Sequence, residues 1–194
     1  MPLNKWHNIN ELSKIKFIFE LILKKEAMNS SLVFKTLEKS DWALVSKIYQ
    51  EGLDTGHASF ETRDPSWEEW DNKHLKHCRI VAELNHNVIG WAALSPISSR
   101  YVYRGVAEVS IYVSNEFKGQ KTGTKLLEKL IIESESHNIW TLQSGVFPEN
   151  KASIAIHKNL GFREVGFREK IGKINGVWRN TILLEHRSKI IGID

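Results

Sequence analysis

A single cysteine, Cys78, stands among the 194 residues. One thiol cannot build an internal disulfide framework, so stability must come from a packed core, and such usage fits a reducing, cytoplasmic compartment. Basic clusters are missing as well. The 27 Lys+Arg against 23 Asp+Glu leave a formal charge of +4, with no run of five basic residues. That balance attracts anionic ligands but falls short of a nucleic-acid footprint. Long apolar runs are also lacking: the stretch from Ile15 to Leu23 is broken by Lys16 and Glu20, far short of the ~20 apolar residues that span a bilayer. The same stretch has no clean apolar centre for a secretion signal, and its acids and lack of arginine argue against a transit peptide. Neither a membrane nor a nucleic acid is therefore an expected partner.

What is present is enough for one sizeable core, since 41% of the residues are hydrophobic. Residues 1–27 read as an N-terminal extension with an amphipathic helix over Glu11 to Lys25. Residues 28–194 read as one domain, in which no repeat or linker is evident after Leu32.

The domain alternates strand and helix signals. Leu32 to Leu37 reads as a strand, and Ser40-Asp41 as the cap of a helix through Trp42, Val45, Ile48 and Tyr49. A polar loop, Ala58 to Pro65, leads to a helix opened by Ser66 and carrying Trp67, Trp70 and Leu75. Arg79 to Leu84 and Val88 to Leu94 form a hairpin about Asn85-His86-Asn87, and a loop from Ile97 to Arg104 follows. The alternating segment Ala107 to Val113 feeds a helix that runs to about His137, then a strand from Trp140 to Val146. A helix over Lys151 to Leu160 stops at Gly161, and strands Phe162 to Ile174 and Val177 to Arg187 close on Asn175-Gly176. Hairpins joined by crossover helices predict an α/β (α+β) fold with a mixed, mostly antiparallel sheet flanked by helices.

Two stretches carry candidate chemistry. Lys118-Gly119-Gln120-Lys121-Thr122-Gly123 lies between a strand and a helix, where unpaired N–H groups and the helix dipole favour an anion. Its glycine spacing fits neither a Walker loop nor the dinucleotide fingerprint. By itself it reads equally well as an ordinary turn. Glu108, a charged residue amid a central strand, is costly there unless used or paired. Alternation places Glu108 with Val106, Ser110 and Tyr112 on one face, and Ala107, Val109, Ile111 and Val113 on the other. His74, His77 and Cys78 lie close in sequence but lack a fourth ligand at metal-site spacing, so no metal is expected.

A wider pattern resolves the loop. Ser59-Phe60-Glu61-Thr62, Gly90-Trp91-Ala92-Ala93-Leu94-Ser95-Pro96, Ser98-Ser99-Arg100, Gly105 to Val113, Ile139 to Gln143, Phe147-Pro148-Glu149-Asn150-Lys151-Ala152-Ser153 and His157 to Phe162 occur in order. Together they resemble the GNAT superfamily of acetyl-CoA-dependent N-acetyltransferases, within it the phosphinothricin and methionine sulfoximine acetyltransferases. The resemblance implies acetyl-CoA as cosubstrate. Its pyrophosphate would lie over Lys118, Gly119, Gln120, Lys121, Thr122 and Gly123, its pantetheine along Ile111, Tyr112 and Val113, and its other flank against Asn150 and Ser153. Glu108 would be the general base, relieving an ammonium substrate of its proton either directly or through water, the more readily if partly buried. Phe60, Glu61, Ser98, Ser99, Arg100, Val109 and Ser110 would line the site of a small amino-acid-like acceptor, with Arg100 and Arg104 facing its carboxylate.

Three departures stand out. Lys121 occupies a position where the family pattern has glycine, His157 one where many members place a tyrosine acid, though it reads equally well as a packed helix histidine, and Asn175 one where the nearer relatives carry histidine. A homodimer is the family expectation. Acetylation of a peptide terminus or polyamine, or a non-catalytic acetyl-CoA-binding module, are the alternatives.

Overall fold

The computed structural model describes residues 32–193; the extension expected over residues 1–27 lies outside them. Seven strands form one sheet in the order β1-β2-β3-β4-β5-β7-β6. They are β1 (Val33–Thr36), β2 (Arg79–Leu84), β3 (Asn87–Pro96), β4 (Val106–Val113), β5 (Thr141–Val146), β6 (Arg163–Ile174) and β7 (Val177–Arg187). Every neighbouring pair is antiparallel except β4 and β5, which run parallel. The mixed, mostly antiparallel sheet expected from the hairpin signals is thus present.

Four helices cover it: α1 (Trp42–Leu53), α2 (Trp67–Lys73), α3 (Thr122–Ser136) and α4 (Lys151–Asn159). Strand alternation decides which face each meets. Ala107 and Val109 of β4 join Ile80, Ala82, Ile89, Ala92 and Leu94 in a core closed by Leu126, Leu127 and Leu130 of α3. The opposite face presents Val81, Val88, Trp91 and Ala93 to Val45, Ile48 and Tyr49 of α1 and Trp70 of α2, with Tyr112 packed at the margin. Each fully buried Leu, Ile or Val contributes about 1.5–3 kcal/mol, so α3 is held by its apolar stripe rather than by helix propensity.

Local chemistry sets the element ends. Ser66 and Glu69 make the reciprocal capping box that opens α2, the Ser66 hydroxyl accepting from the Glu69 N–H at 3.2 Å and the Ser66 N–H donating to the Glu69 carboxylate at 2.7 Å. Gly161 ends α4 at φ +85, with the Phe162 N–H reaching back to the His157 carbonyl and the Gly161 N–H to that of Lys158. Asn175 and Gly176, at φ +49 and +83, close the β6–β7 hairpin as a two-residue turn.

Two local readings need correction. Leu75 is not helical: α2 ends at Lys73, and the Leu75 N–H bonds to the Leu94 carbonyl at 2.8 Å. Asp41 makes no side-chain cap for α1, because its carboxylate accepts the Glu38 N–H at 3.0 Å and so closes the preceding 3-10 turn instead.

Candidate active site

The parallel pair β4–β5 is short. Its register runs only Val106↔Thr141, Ala107↔Leu142 and Glu108↔Gln143. Beyond Glu108, β4 stays paired to β3 as far as Val113, while β5 continues against β7 through Ser144, Gly145 and Val146. The strands therefore part inside the sheet. Residues 109–113 keep a backbone edge with no β5 partner, which is what an extended amide-bearing ligand needs in order to pair like a strand.

The end of that edge leads to the start of α3. Gly119 sits at φ +78 with open space where a Cβ would be, and Lys121 is the N-cap in the left-handed region at φ +62. The first backbone bond into the helix is Lys125 N–H to Lys121 carbonyl, so the N–H groups of Thr122, Gly123 and Thr124 precede the helical ladder. They form a cationic cradle with Lys118 and Lys121, both exposed. Gly123 is buried, and a Cβ there would press on Ile156 of α4 at 3.3 Å, which keeps the two helices close. This geometry explains the family's glycine at the Lys121 position: the required backbone is left-handed, a conformation most side chains resist.

Glu108 is exposed, not partly buried, and leans over β5: a Cβ at Gly145 would lie 3.7 Å from its Oε1. It forms no ion pair among the described residues, so a structural salt bridge does not account for it. Ser110 and Tyr112 share its face. Val109 is buried at 7% exposure, so what it offers a ligand is backbone.

Glu61 and Phe60 come from the loop between α1 and α2. Lys73 donates to Glu61 at 2.5 Å, and burial lowers the Lys73 pKa less than Glu61, aided by Tyr49 and Glu108, raises it. Lys73 is therefore a cation in the electrostatic field of the Glu108 carboxylate. Tyr49 and Tyr112 meet edge to face at 4.7 Å, and Tyr112 stacks on Trp91 at 4.8 Å. Burial pushes both phenols up, Tyr112 the more strongly, while the Ser59 hydroxyl acts in the opposite direction. Phe60 meets Phe147 edge to face at 4.9 Å and lies against Gly172 of β6. Arg179 of β7 ties this loop down through the Gly56 carbonyl at 2.9 Å and His57 Nδ1 at 3.1 Å, its guanidinium lying over Phe147. Tyr49, Lys73 and Arg179 carried no motif in the sequence. Only the tertiary fold assembles them.

The loop with Ser98, Ser99 and Arg100 leaves β3 beside Glu108, because Ser95 pairs with Glu108 and Pro96 with Ala107. The Arg100 N–H bonds to the Ser98 hydroxyl at 3.2 Å, and the Arg100 guanidinium lies over Tyr103 at 5.5 Å. Arg104 is turned away onto Tyr101 and Trp140, at 4.2 and 5.3 Å.

Asn150 caps α4, accepting the Ser153 N–H at 3.1 Å, and its amide donates to the His57 carbonyl at 3.3 Å. His157 is 1% exposed, its Nδ1 lies 2.8 Å from the Ser153 carbonyl, and burial lowers its pKa. Burial disfavours the charged ring and the Ser153 carbonyl holds Nδ1, so the geometry is that of a packed core histidine. Of the close-set His74, His77 and Cys78, the fold joins the last two to His137 and sends His74 onto Trp70.

Parted strands, a glycine-bearing turn at a helix N-terminus and a carboxylate at the fork are the architecture of an acetyltransferase. The model of the acetyltransferase (GNAT) family matches residues 42–162, and the chain belongs to that family. Among similar proteins, the phosphinothricin N-acetyltransferase of Alcaligenes faecalis is 28% identical over 170 residues, 82% of this chain and 84% of the relative. An L-methionine sulfoximine/L-methionine sulfone acetyltransferase of Salmonella typhimurium is 26% identical over 160 residues, 79% of this chain and 93% of the relative. The solved GNAT phosphinothricin acetyltransferase of Sinorhizobium meliloti, in complex with acetyl-CoA, matches with a TM-score of 0.73 at 26% identity, over 80% of this chain and 88% of that one. No helix among the described residues is long and apolar enough to cross a membrane.

Proposed function

We propose that this chain transfers acetyl from acetyl-CoA to the amine of a small amino-acid-like acceptor of the phosphinothricin, methionine sulfoximine or methionine sulfone type. The observation that carries the reading is the parting of β4 and β5 immediately after Glu108↔Gln143, which sets an open backbone edge, a carboxylate and a helix N-terminus in line along one strand and its continuation.

Acetyl-CoA supplies an acyl group already activated as a thioester. The N–H groups of Thr122, Gly123 and Thr124, with Lys118 and Lys121, would hold its pyrophosphate. The edge at Ile111, Tyr112 and Val113 would pair with pantetheine amides, and the start of α4 at Asn150 and Ser153 would bound the other flank. Backbone N–H groups along Val109 to Tyr112 would polarise the thioester carbonyl. Glu108 takes the proton from the acceptor ammonium, directly or through water, so that the free amine attacks in a ternary complex. Phe60, Glu61, Ser98, Ser99 and Ser110 would wall the acceptor pocket. Arg100, which has no ion-pair partner among the described residues, would meet the acceptor's carboxylate. In this reading residues 28–194 are the catalytic domain and the protein works as a cytoplasmic homodimer.

Thiol release from acetyl-CoA, measured with phosphinothricin, methionine sulfoximine, methionine sulfone, ordinary amino acids, a polyamine and a peptide, tests the acceptor class. Turnover confined to the amino-acid analogues is the expected result; preference for the polyamine or peptide would overturn it. Glu108→Gln should lower kcat by about 10²- to 10⁴-fold while leaving the acetyl-CoA Kd unchanged. Unaltered turnover in that variant would remove Glu108 as the base.

A further inference from the structure

Cys78 lies between α2 and β2, fully buried, with its backbone in the left-handed region at φ +56. A non-glycine residue held there costs free energy and calls for a reason. Its Sγ lies 3.1 Å from His77 Nδ1 and 3.8 Å from His137 Nδ1. Both Nδ1 atoms therefore approach the same sulfur; the imidazoles stack in parallel, centroids 4.4 Å apart with 3° between planes, and a turn of the exposed His137 ring would bring both in-plane lone pairs onto one ion. A thiol has one proton, which can satisfy only one of them. One donor atom from each residue lies within 4.8 Å of the other two.

These spacings suit a metal. With metal–sulfur and metal–nitrogen bonds of about 2.3 and 2.05 Å, a tetrahedral centre places N and S about 3.6 Å apart, between the two observed separations. The core fixes the arrangement, because Cys78 packs with Leu130 of α3 and Ile139 just beyond His137. Thiolate and imidazole donors select zinc or a similar late first-row divalent ion over magnesium or calcium. His137 is exposed, leaving the fourth position open to water. Coordination by His137 Nδ1 would replace its contacts with the Glu133 carbonyl at 2.9 Å and the Ser136 hydroxyl at 3.1 Å, its proton passing to the solvent-facing Nε2.

We propose that His77, Cys78 and His137 form a binding site for Zn2+ or a related divalent ion, which clamps the C-terminal end of α3 to the start of β2. On binding, the thiol proton leaves to solvent as the sulfur–metal bond forms. The site lies at the opposite end of α3 from the candidate phosphate cradle, about 22 Å away along a helix of 15 residues. It is separate from the acetyl-transfer machinery.

The test uses the full chain, stripped with chelator and titrated with Co2+. The expected result is a 1:1 complex with a thiolate-to-cobalt charge-transfer band and tetrahedral visible bands, displaced by Zn2+, and a Tm raised by several degrees with Zn2+. Cys78→Ser should abolish the charge-transfer band. His137→Asn, at an exposed position, should weaken binding at least tenfold while acetyl-CoA binding and the metal-free Tm stay close to the wild type. Absence of the band in the folded wild type, or an unweakened band in His137→Asn, would overturn the proposal.

Discussion

The ring of Phe60 fills the space that a side chain at Gly172 would require: a Cβ there would overlap three of the ring carbons. A loop between two helices on one side of the molecule is thereby seated on the backbone of a strand at the far edge of the sheet. Gly172→Ala should swing Phe60 outward. Because Phe60 is 39% exposed, the ring has somewhere to go, and the loss of stability should stay at the low end of the about 1–3 kcal/mol typical of overpacking. The acceptor KM should rise several-fold with the acetyl-CoA Kd unaltered; steady-state kinetics against each substrate separates the two.

Arg179 holds the same loop through Gly56 and His57 and also pairs with Glu149 at 3.4 Å. Arg179→Lys keeps the charge but loses the planar fork that reaches two acceptors at once. The loop should loosen, with kcat/KM for the acceptor falling about tenfold and the midpoint of thermal unfolding moving by only a few degrees. An unchanged kcat/KM would show that the clamp does not serve the pocket.

Lys121 combines two effects that substitution can separate. Its left-handed backbone costs about 1–2 kcal/mol for a residue with a Cβ, while glycine would give back roughly 0.5–1 kcal/mol in chain entropy. Lys121→Gly should therefore change stability by less than about 1.5 kcal/mol. Lys121→Ala keeps the strain and removes the ammonium, and should weaken acetyl-CoA by about two- to five-fold, the worth of one exposed charge at a helix N-terminus. Calorimetric titration of both variants reads the charge apart from the backbone. Tighter binding by Lys121→Ala would mean that the side chain obstructs the phosphates.

His74 couples stability to pH. Burial lowers its pKa to about 4, opposed by its bond to the Trp70 carbonyl and by Asp71, and reinforced by Arg79 and Lys73. Unfolded, it would titrate near 6.5. Below that value the unfolded chain takes up a proton that the folded one refuses, so stability is full above about 6.5 and declines as the pH falls toward 4. The loss amounts to roughly 3 kcal/mol for this group. Urea unfolding at stepped pH should show the slope, and His74→Gln should flatten it even if the variant starts from a lower stability.

Much of the scaffold was legible because its signals are local. Asn175-Gly176 names its turn, Ser66 with Glu69 its capping box, and Gly161 its helix stop, each within a few residues. The alternation of Ala107 to Val113 set the faces of β4 correctly, and the motif order pointed to the family. What stayed hidden is what the fold joins from afar. Arg179 meets Gly56, Lys73 shares a field with Glu108, and His137 reaches Cys78 across 59 positions, none with a periodicity to mark it. His157 was open in the sequence between an acid and a packed helix histidine, and its burial and bond to the Ser153 carbonyl are those of a packed residue. Asp41 was spent on the neighbouring turn, a competition between caps that composition cannot rank.

The three residue pairs between β4 and β5 are also the seam that joins two halves of the molecule, β1 to β4 on one side and β5 with the terminal hairpin on the other. A ligand laid into the fork would add backbone bonds across that seam and act as a temporary eighth strand. Saturation at a hundredfold excess over Kd would stabilise the folded chain against unfolding by about 2.7 kcal/mol. Amide hydrogens along residues 109–113 and 144–146 should then exchange more slowly than in the free protein, so that occupancy is written into the mechanical unity of the sheet.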